Sequence, residues 1–213
     1  MTLGGVMLLH IARTDGYRHR ITTMTSLGRF QRHLLHFAAP NSTKITLLSS
    51  LRASLALGLD FPVALTLSIG LRILYAPFPY LSPVDIPSIP QSSWRTQLED
   101  AKLTADTYTR ADLLHLYHSS AKYNRSDPLT RSVDTMHVIS FWAMTADVGS
   151  GLVSRRDVER FQAGEWEGEV VRRRRSRRRG EGDVLPLWRG GPISVAGHSW
   201  FVRKLFGVRV YEA

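Results

Sequence analysis

The 213-residue sequence contains no cysteine. A chain without cysteine forms no disulfide, offers no thiolate to a metal ion and has no cysteine nucleophile. Metal sites would therefore have to be built from the eight histidines and the carboxylates. The same absence leaves the redox compartment of the protein undetermined, because reducing and oxidising compartments both contain cysteine-free proteins.

Acidic residues are scarce in the first forty positions, where Asp15 is the single carboxylate among five arginines. A basic, acid-poor leader of this kind is typical of an organellar targeting segment. A frayed or incorrectly translated start is the alternative. The apolar stretch Met7–Leu9 is too short for a secretory signal, so no signal peptide is visible and no compartment is assigned. We interpret residues 1–35 as this basic leader.

Long uninterrupted apolar runs are also missing. The stretch from Ala56 to Leu71 is nearly long enough to cross a membrane, but Asp60 and Pro62 fall inside it. An aspartate at the centre of a membrane span costs roughly 2.5–3.5 kcal/mol on insertion scales. We therefore predict a pair of core helices here and no transmembrane span.

The net charge of +10 is concentrated in one place. Seven arginines occupy eight consecutive positions, interrupted only by Ser176, and without them the charge is +3. Mutual repulsion favours an exposed loop over residues 169–183 with incidental affinity for polyanions. No aromatic residue is interleaved to stack on bases, although nucleic-acid binding remains an alternative function. The seven cations are Arg172, Arg173, Arg174, Arg175, Arg177, Arg178 and Arg179.

The remaining patterns predict a mainly α, single helical domain over residues 36–168. Leu48, Leu51 and Leu55 share one helical face, and Thr109 followed by Asp112 resembles a capping box. Further helices are expected at about His137–Ala146 and from Ser154 onward. Five prolines between positions 77 and 90 predict a long extended connector.

The C-terminal segment, residues 184–213, shows a different pattern. Its last part, "SWFVRKLFGVRVYEA", alternates in hydrophobicity around Gly207. Such alternation is typical of a strand pair. We therefore predict two short strands at the C-terminal end of an otherwise helical chain.

Several segments resemble, in the same order, those of the fungal haem-thiolate peroxidases, the chloroperoxidase and unspecific peroxygenase group. "HFAAPNSTKIT" resembles their His-Gly-Phe-Leu-Pro-X-Asn-Gly-Lys-Asn-Ile-Thr stretch, with His36 on the family histidine. "VDIPSI" is similar to Phe-Asp-Leu-Asp-Asp-Leu, and "TADTYTRAD" to the second half of Glu-His-Asp-X-Ser-Leu-Thr-Arg-X-Asp. "VGSGLVSRRDVERFQAGE" is similar to a later Gly-X-Val-Pro segment. The resemblance covers about residues 36–165.

This resemblance implies a haem haloperoxidase fold and an enzyme that uses hydrogen peroxide to halogenate or oxygenate a small organic substrate. It implies haem b held by a cysteine thiolate, with a Mg or Mn ion beside a propionate. Carried over by position, the cofactor-binding residues are His36, Asp106 and Arg110. The metal-binding residues, by the same carry-over, are Glu99 and Thr107.

The sequence departs from the family pattern where the chemistry is concentrated. The ligand cysteine should fall near Leu27, so the resemblance provides no haem axial ligand. Two alignment registers of the metal motif, one through Glu99 and one through Asp106, each restore only part of it. In the helix where the family has its distal glutamate, His137 is the only residue able to exchange a proton.

Three interpretations follow from these departures. The chain is a family member whose cysteine-bearing N-terminal part is missing from the sequence as written. Alternatively, it is a degenerate relative that keeps the fold and has lost haem-thiolate chemistry. The third interpretation is an unrelated basic protein that binds nucleic acid through the arginine run.

Overall fold

The computed structural model of the chain describes residues 27–80, 82–90, 98–99, 101–175 and 184–211. Within these ranges the protein is mainly α-helical, as the sequence predicts. Its α-helices in chain order are α1 Arg29–Leu35, α2 Leu47–Ala56, α3 Phe61–Tyr75, α4 Arg110–His118, α5 Ala121–Arg125, α6 Pro128–Thr145, α7 Arg155–Ala163, α8 Glu167–Arg175 and α9 Val195–Phe206.

Two small antiparallel ladders connect parts of the chain that are distant in sequence. Strand β1 (Lys44–Ile45) pairs with β2 (Val84–Asp85), and β3 (Thr107–Tyr108) pairs with β4 (Val153–Ser154). Each ladder has one buried apolar pair, Ile45 with Val84 and Tyr108 with Val153. The ladders therefore fix the loops before α2, α4 and α7 against the core.

Most helices begin where the sequence places a hydroxyl or carboxylate immediately before the first turn. The Thr109 hydroxyl accepts the Asp112 amide, and the Asp112 carboxylate in turn accepts the Thr109 amide, which completes the expected capping box. Asp127 caps α6 by accepting the Thr130 amide at 3.0 Å. This cap lies ten residues before the expected start of the helix, so α6 is longer than the predicted His137–Ala146.

The core lies between α1, α2, α4, α6, α7 and α8 and is rich in aromatic rings. Phe141 and Phe161 stack with ring centroids 4.1 Å apart, and Trp166 packs edge-on against Phe141 at 5.4 Å. All three side chains are buried. Phe141 lies on α6, Phe161 on α7, and Trp166 immediately before α8. Contacts among the three rings therefore hold these helices together in the core.

Part of the expected basic leader belongs to this core. Residues 1–26 lie outside the described part of the chain, but Arg29–Leu35 forms helix α1. Phe30 and Leu34 are buried, and the Gln31 amide donates to the Ile89 carbonyl at 2.6 Å. Helix α1, within the predicted leader of residues 1–35, therefore packs into the same core as the residues that follow it.

Helix α3 differs from the expected core helix. It packs against α2, but only Ala64 and Ser68 are buried along its length. Most of its large apolar side chains are exposed, including Ile73 at 58%. Among the described residues, no helix combines the length and the hydropathy needed to span a bilayer.

The predicted C-terminal strand pair is wrong, since residues Val195–Phe206 form helix α9. The Ser194 hydroxyl accepts the Gly197 amide at the start, and Gly207 ends the helix at a positive φ of 67°. His198 and Val202, four residues apart, are the buried members. Helical spacing of the buried side chains therefore overrides the local alternation.

The expected loop over residues 169–183 is wrong for its first part, because Glu167–Arg175 forms helix α8. Residues 176–183, with Arg177, Arg178 and Arg179, lie outside the described part of the chain. Arg174 is only 6% exposed, and its guanidinium donates to the carbonyls of Leu57 (3.3 Å) and Met144 (2.7 Å). Repulsion within the run is offset here by these acceptors.

We expect Arg174→Ala to lower the free energy of unfolding by about 2–4 kcal/mol. The substitution leaves two buried carbonyls without their charged donor, and hydrogen bonds to charged groups contribute about 1.5–3 kcal/mol each. Arg172→Ala is the matched control, since the Arg172 side chain is 73% exposed and pairs with Glu169 at the surface. Urea unfolding should show a loss below about 1 kcal/mol for the control. Equal losses in the two variants would contradict the structural role of Arg174.

Candidate functional site: a basic cleft beside His36

A cleft of about 640 Å³ lies beside His36, where the turn after α1, helix α2, the end of α8 and the residues after α9 meet. Its walls are mostly apolar. Three positively charged or titratable side chains interrupt them. They are His36, Arg52 and Arg175.

His36 follows the last residue of α1 and its ring is half-buried. The pKa of this imidazole is lowered to about 4, chiefly by burial and to a smaller extent by nearby Arg175, against the opposite effect of a hydrogen bond to the Ala53 backbone. Nε2 is buried and makes no hydrogen bond within the described structure. His36 is therefore neutral at pH 7, and the positive charge of the cleft comes from its arginines.

The two arginines of the cleft are both exposed. Arg52 lies on α2, and Arg175 is the last residue of α8. The Arg175 Nε donates to the Arg209 carbonyl at 3.3 Å, which directs this side chain toward the C-terminal segment. No aspartate or glutamate is among the described residues that line the cleft. The cleft therefore presents positive charge beside an apolar surface.

The other residues carried over from the resemblance lie elsewhere. Glu99 forms an exposed ion pair with Arg29 at 3.8 Å. Thr107 is an exposed member of the β3–β4 ladder, where it pairs with Ser154. Neither residue lines the His36 cleft.

The two remaining carried-over residues also lie near β3 and α4. Asp106 is exposed, and its backbone carbonyl accepts the Arg155 amide at 2.8 Å. Arg110 starts α4, and its guanidinium lies 5.5 Å from the ring centre of Trp142. Both lie outside the cleft lining, so the cleft contains His36 alone of the five carried-over residues.

The donor set does not fit a haem-thiolate centre. The chain has no cysteine, and the position nearest the family ligand is Leu27, whose hydrocarbon side chain is buried. Within the ranges that the structure describes, no three His, Asp or Glu side chains converge as metal ligands. Within the same ranges, the structure brings no third metal ligand to Glu99 and Thr107, the two residues predicted to bind a metal ion.

His33 and His36 lie three positions apart in the sequence but have different surroundings in the structure. His33 lies inside the core, where its Nδ1 contacts the Glu167 carboxylate and its ring stacks with Trp166, whereas His36 faces the cleft. His115 and His118 remain exposed on α4. Sequence spacing could not reveal the contact between His33 and Glu167, because 134 positions separate the two residues and only the packing of α8 against α1 joins them.

The arginines of the cleft were also not predicted as site residues. The sequence predicts an exposed loop at Arg175, and Arg52 is an isolated charge in a predicted helix that no motif distinguishes. The sequence does place Arg52 one helical turn after Leu48, so that both lie on the same face of α2. That this face lines a cleft follows only from the packing of the ends of α8 and α9 beside it.

Comparisons with known proteins identified no protein similar to this chain. No protein-family model, no curated protein and no solved structure matches this chain.

We expect the free energy of unfolding to fall between pH 6.5 and pH 4, partly because of His36. Its folded-state pKa of about 4 lies below the ordinary value of 6.5, so the unfolded chain binds the proton first as the pH falls. Stability is full above pH 6.5 and decreases toward pH 4. Burial lowers the pKa of His198 as well, with Asp60 opposing, and adds a loss of the same sign.

Urea unfolding at pH 7 and at pH 4.5 measures this pH-dependent loss of the free energy of unfolding. His36→Gln should reduce the pH-dependent loss by about 1–2 kcal/mol, allowing for partial screening of the half-buried ring by water. His115→Gln, at an exposed position, is the control and should keep the wild-type difference. Identical pH dependence in wild type and His36→Gln would show that His36 is not buried in its neutral form.

Proposed function

We propose that this chain is a relative of the haem-thiolate peroxidases that no longer carries out their peroxide chemistry. Its support is the ordered series of similar segments over residues 36–165 together with a mainly helical fold. The proposal assigns the protein a binding role on this scaffold rather than peroxide-dependent halogenation or oxygenation.

The observation that carries this proposal is the absence of cysteine from the chain. A thiolate ligand donates electron density to haem iron and favours cleavage of the peroxide O–O bond. A leucine side chain, such as that of Leu27, has no lone pair to donate. The dispersal of His36, Glu99 and Thr107 over separate surfaces further supports a loss of the site.

The interpretation that a cysteine-bearing segment is encoded upstream has a direct test. Genomic DNA preceding the first codon would be searched for an in-frame Cys-Pro segment. Finding one in the mature transcript would replace the present proposal with that of an active family member.

The nucleic-acid alternative receives no support from the described arginines. Arg173 donates to Asp157 at 3.1 Å and Arg174 to two carbonyls in the interior. Arg172 is paired with Glu169. These groups already have partners within the fold, so phosphate would have to compete with them.

We expect duplex DNA binding, if measured at two salt concentrations, to show a weaker salt dependence than seven phosphate contacts would produce. Seven phosphate contacts would give a slope near −6, since each contributes about −0.9. With Arg173 and Arg174 occupied, at most five cations of the run are available, and the slope should be no steeper than about −4.5. A slope near −6 that flattens in the Arg173→Gln variant would restore the nucleic-acid function.

We expect no thiolate-ligated haem after the purified full chain is mixed with haemin. The reduced sample under carbon monoxide should lack the absorbance band of thiolate ligation, and peroxide-dependent oxidation of a phenolic dye should not exceed that of free haemin. An authentic haem-thiolate peroxidase, treated in parallel, is the positive control. A thiolate-type carbon-monoxide spectrum from this cysteine-free chain would overturn the proposal.

A further inference from the structure

We propose that the cleft beside His36 binds a medium-chain amphipathic carboxylate, with the carboxylate at Arg52 and Arg175 and the hydrocarbon chain along the apolar wall. The inference concerns a ligand site that does not involve haem. It stands on the geometry of the cleft and is independent of the proposed loss of peroxide chemistry.

The charge of the cleft selects an anion. Arg52 and Arg175 come from different helices, α2 and α8, and reach the same cleft. Because no carboxylate is present among the described lining residues, neither guanidinium is neutralised from within the cleft. A guanidinium presents paired N–H donors that match the two oxygens of a carboxylate.

The apolar wall selects a hydrocarbon body on that anion. Most of the other lining side chains are alanines or larger apolar residues, including Ala53, Ala56, Leu48, Phe206 and Val208. The alanines on α2 leave space that larger side chains would fill. A volume of about 640 Å³ falls within the usual range for small-molecule pockets, about 300–1,000 Å³. An inorganic anion would leave this wall uncovered, so an alkyl carboxylate fits better.

The walls of the cleft are held in place by hydrogen bonds within the protein. The Ser49 hydroxyl donates to the Phe37 carbonyl at 2.8 Å and so ties α2 to the turn after α1. The Val208 amide donates to the Val202 carbonyl at 3.3 Å and closes the end of α9. A site formed before binding loses less conformational entropy when the ligand enters.

The test is isothermal titration of the full chain with decanoate, at pH 7.5 and below the concentration at which decanoate aggregates. We expect saturable binding with one site per chain. Decanol, which has the same chain length and no charge, should bind at least tenfold more weakly. Acetate, which has the charge and no chain, should also bind at least tenfold more weakly.

Variants identify the site. Arg52→Gln and Arg175→Gln should each weaken decanoate binding about tenfold or more, and Ala53→Leu should weaken it by filling the cleft. Arg172→Gln removes an exposed arginine of the same run outside the cleft and should bind as the wild type does. Thermal unfolding of each variant confirms that it is folded.

Three outcomes would overturn the proposal. The first is binding of decanol as tight as that of decanoate, and the second is a loss of binding in Arg172→Gln as large as that in Arg175→Gln. The third is heat that appears only with decanoate-containing vesicles. The last result would indicate a membrane surface as the partner. Haemin spectroscopy reports separately on the loss of peroxide chemistry, so failure of one proposal is distinguishable from failure of the other.

Discussion

The buried guanidinium of Arg174 is the constraint on which much of the structure depends. A cation removed from water requires hydrogen-bond acceptors, and Arg174 finds them at the carbonyls of Leu57 and Met144. These two carbonyls belong to the C-terminal ends of α2 and α6, where the helix dipole is negative. One side chain thus joins the ends of two helices, and its own carbonyl accepts the Tyr211 amide at 2.8 Å.

The position of Arg174 also determines what its neighbours can do. Since successive side chains on a helix point in different directions, Arg173 turns toward Asp157 while Arg175 reaches the His36 cleft. Tyr211 continues the network by donating its hydroxyl proton to the Gly58 carbonyl at 2.8 Å. Within the described part of the run, Arg173 and Arg174 therefore make structural contacts, whereas Arg175 lines the cleft.

The family resemblance and the site chemistry lead to a consistent account. Segments around His36 and before Glu165 resemble those of haem-thiolate peroxidases, but the chain contains no thiolate. The cleft beside His36 has a neutral imidazole and two arginines in an apolar setting. Such a surface has the charge and the apolar lining that an organic anion requires. The proposed loss of peroxide chemistry and the proposed ligand site therefore rest on different features, the absence of cysteine for the first and the cleft with Arg52 and Arg175 for the second.

The sequence by itself determined the helical class, the Thr109 capping box and the exclusion of cysteine chemistry, because each depends on neighbouring residues or on composition alone. Tertiary structure decided the rest. The stretch that begins at Ser199 alternates in hydrophobicity, yet Val195–Phe206 is a helix whose buried side chains, His198 and Val202, lie four residues apart on one face. Arg174 belongs to a charged run, yet it is buried because Leu57, 117 positions away, supplies an acceptor. Contacts between residues so far apart in sequence arise only when the helices pack, so local patterns contain no record of them.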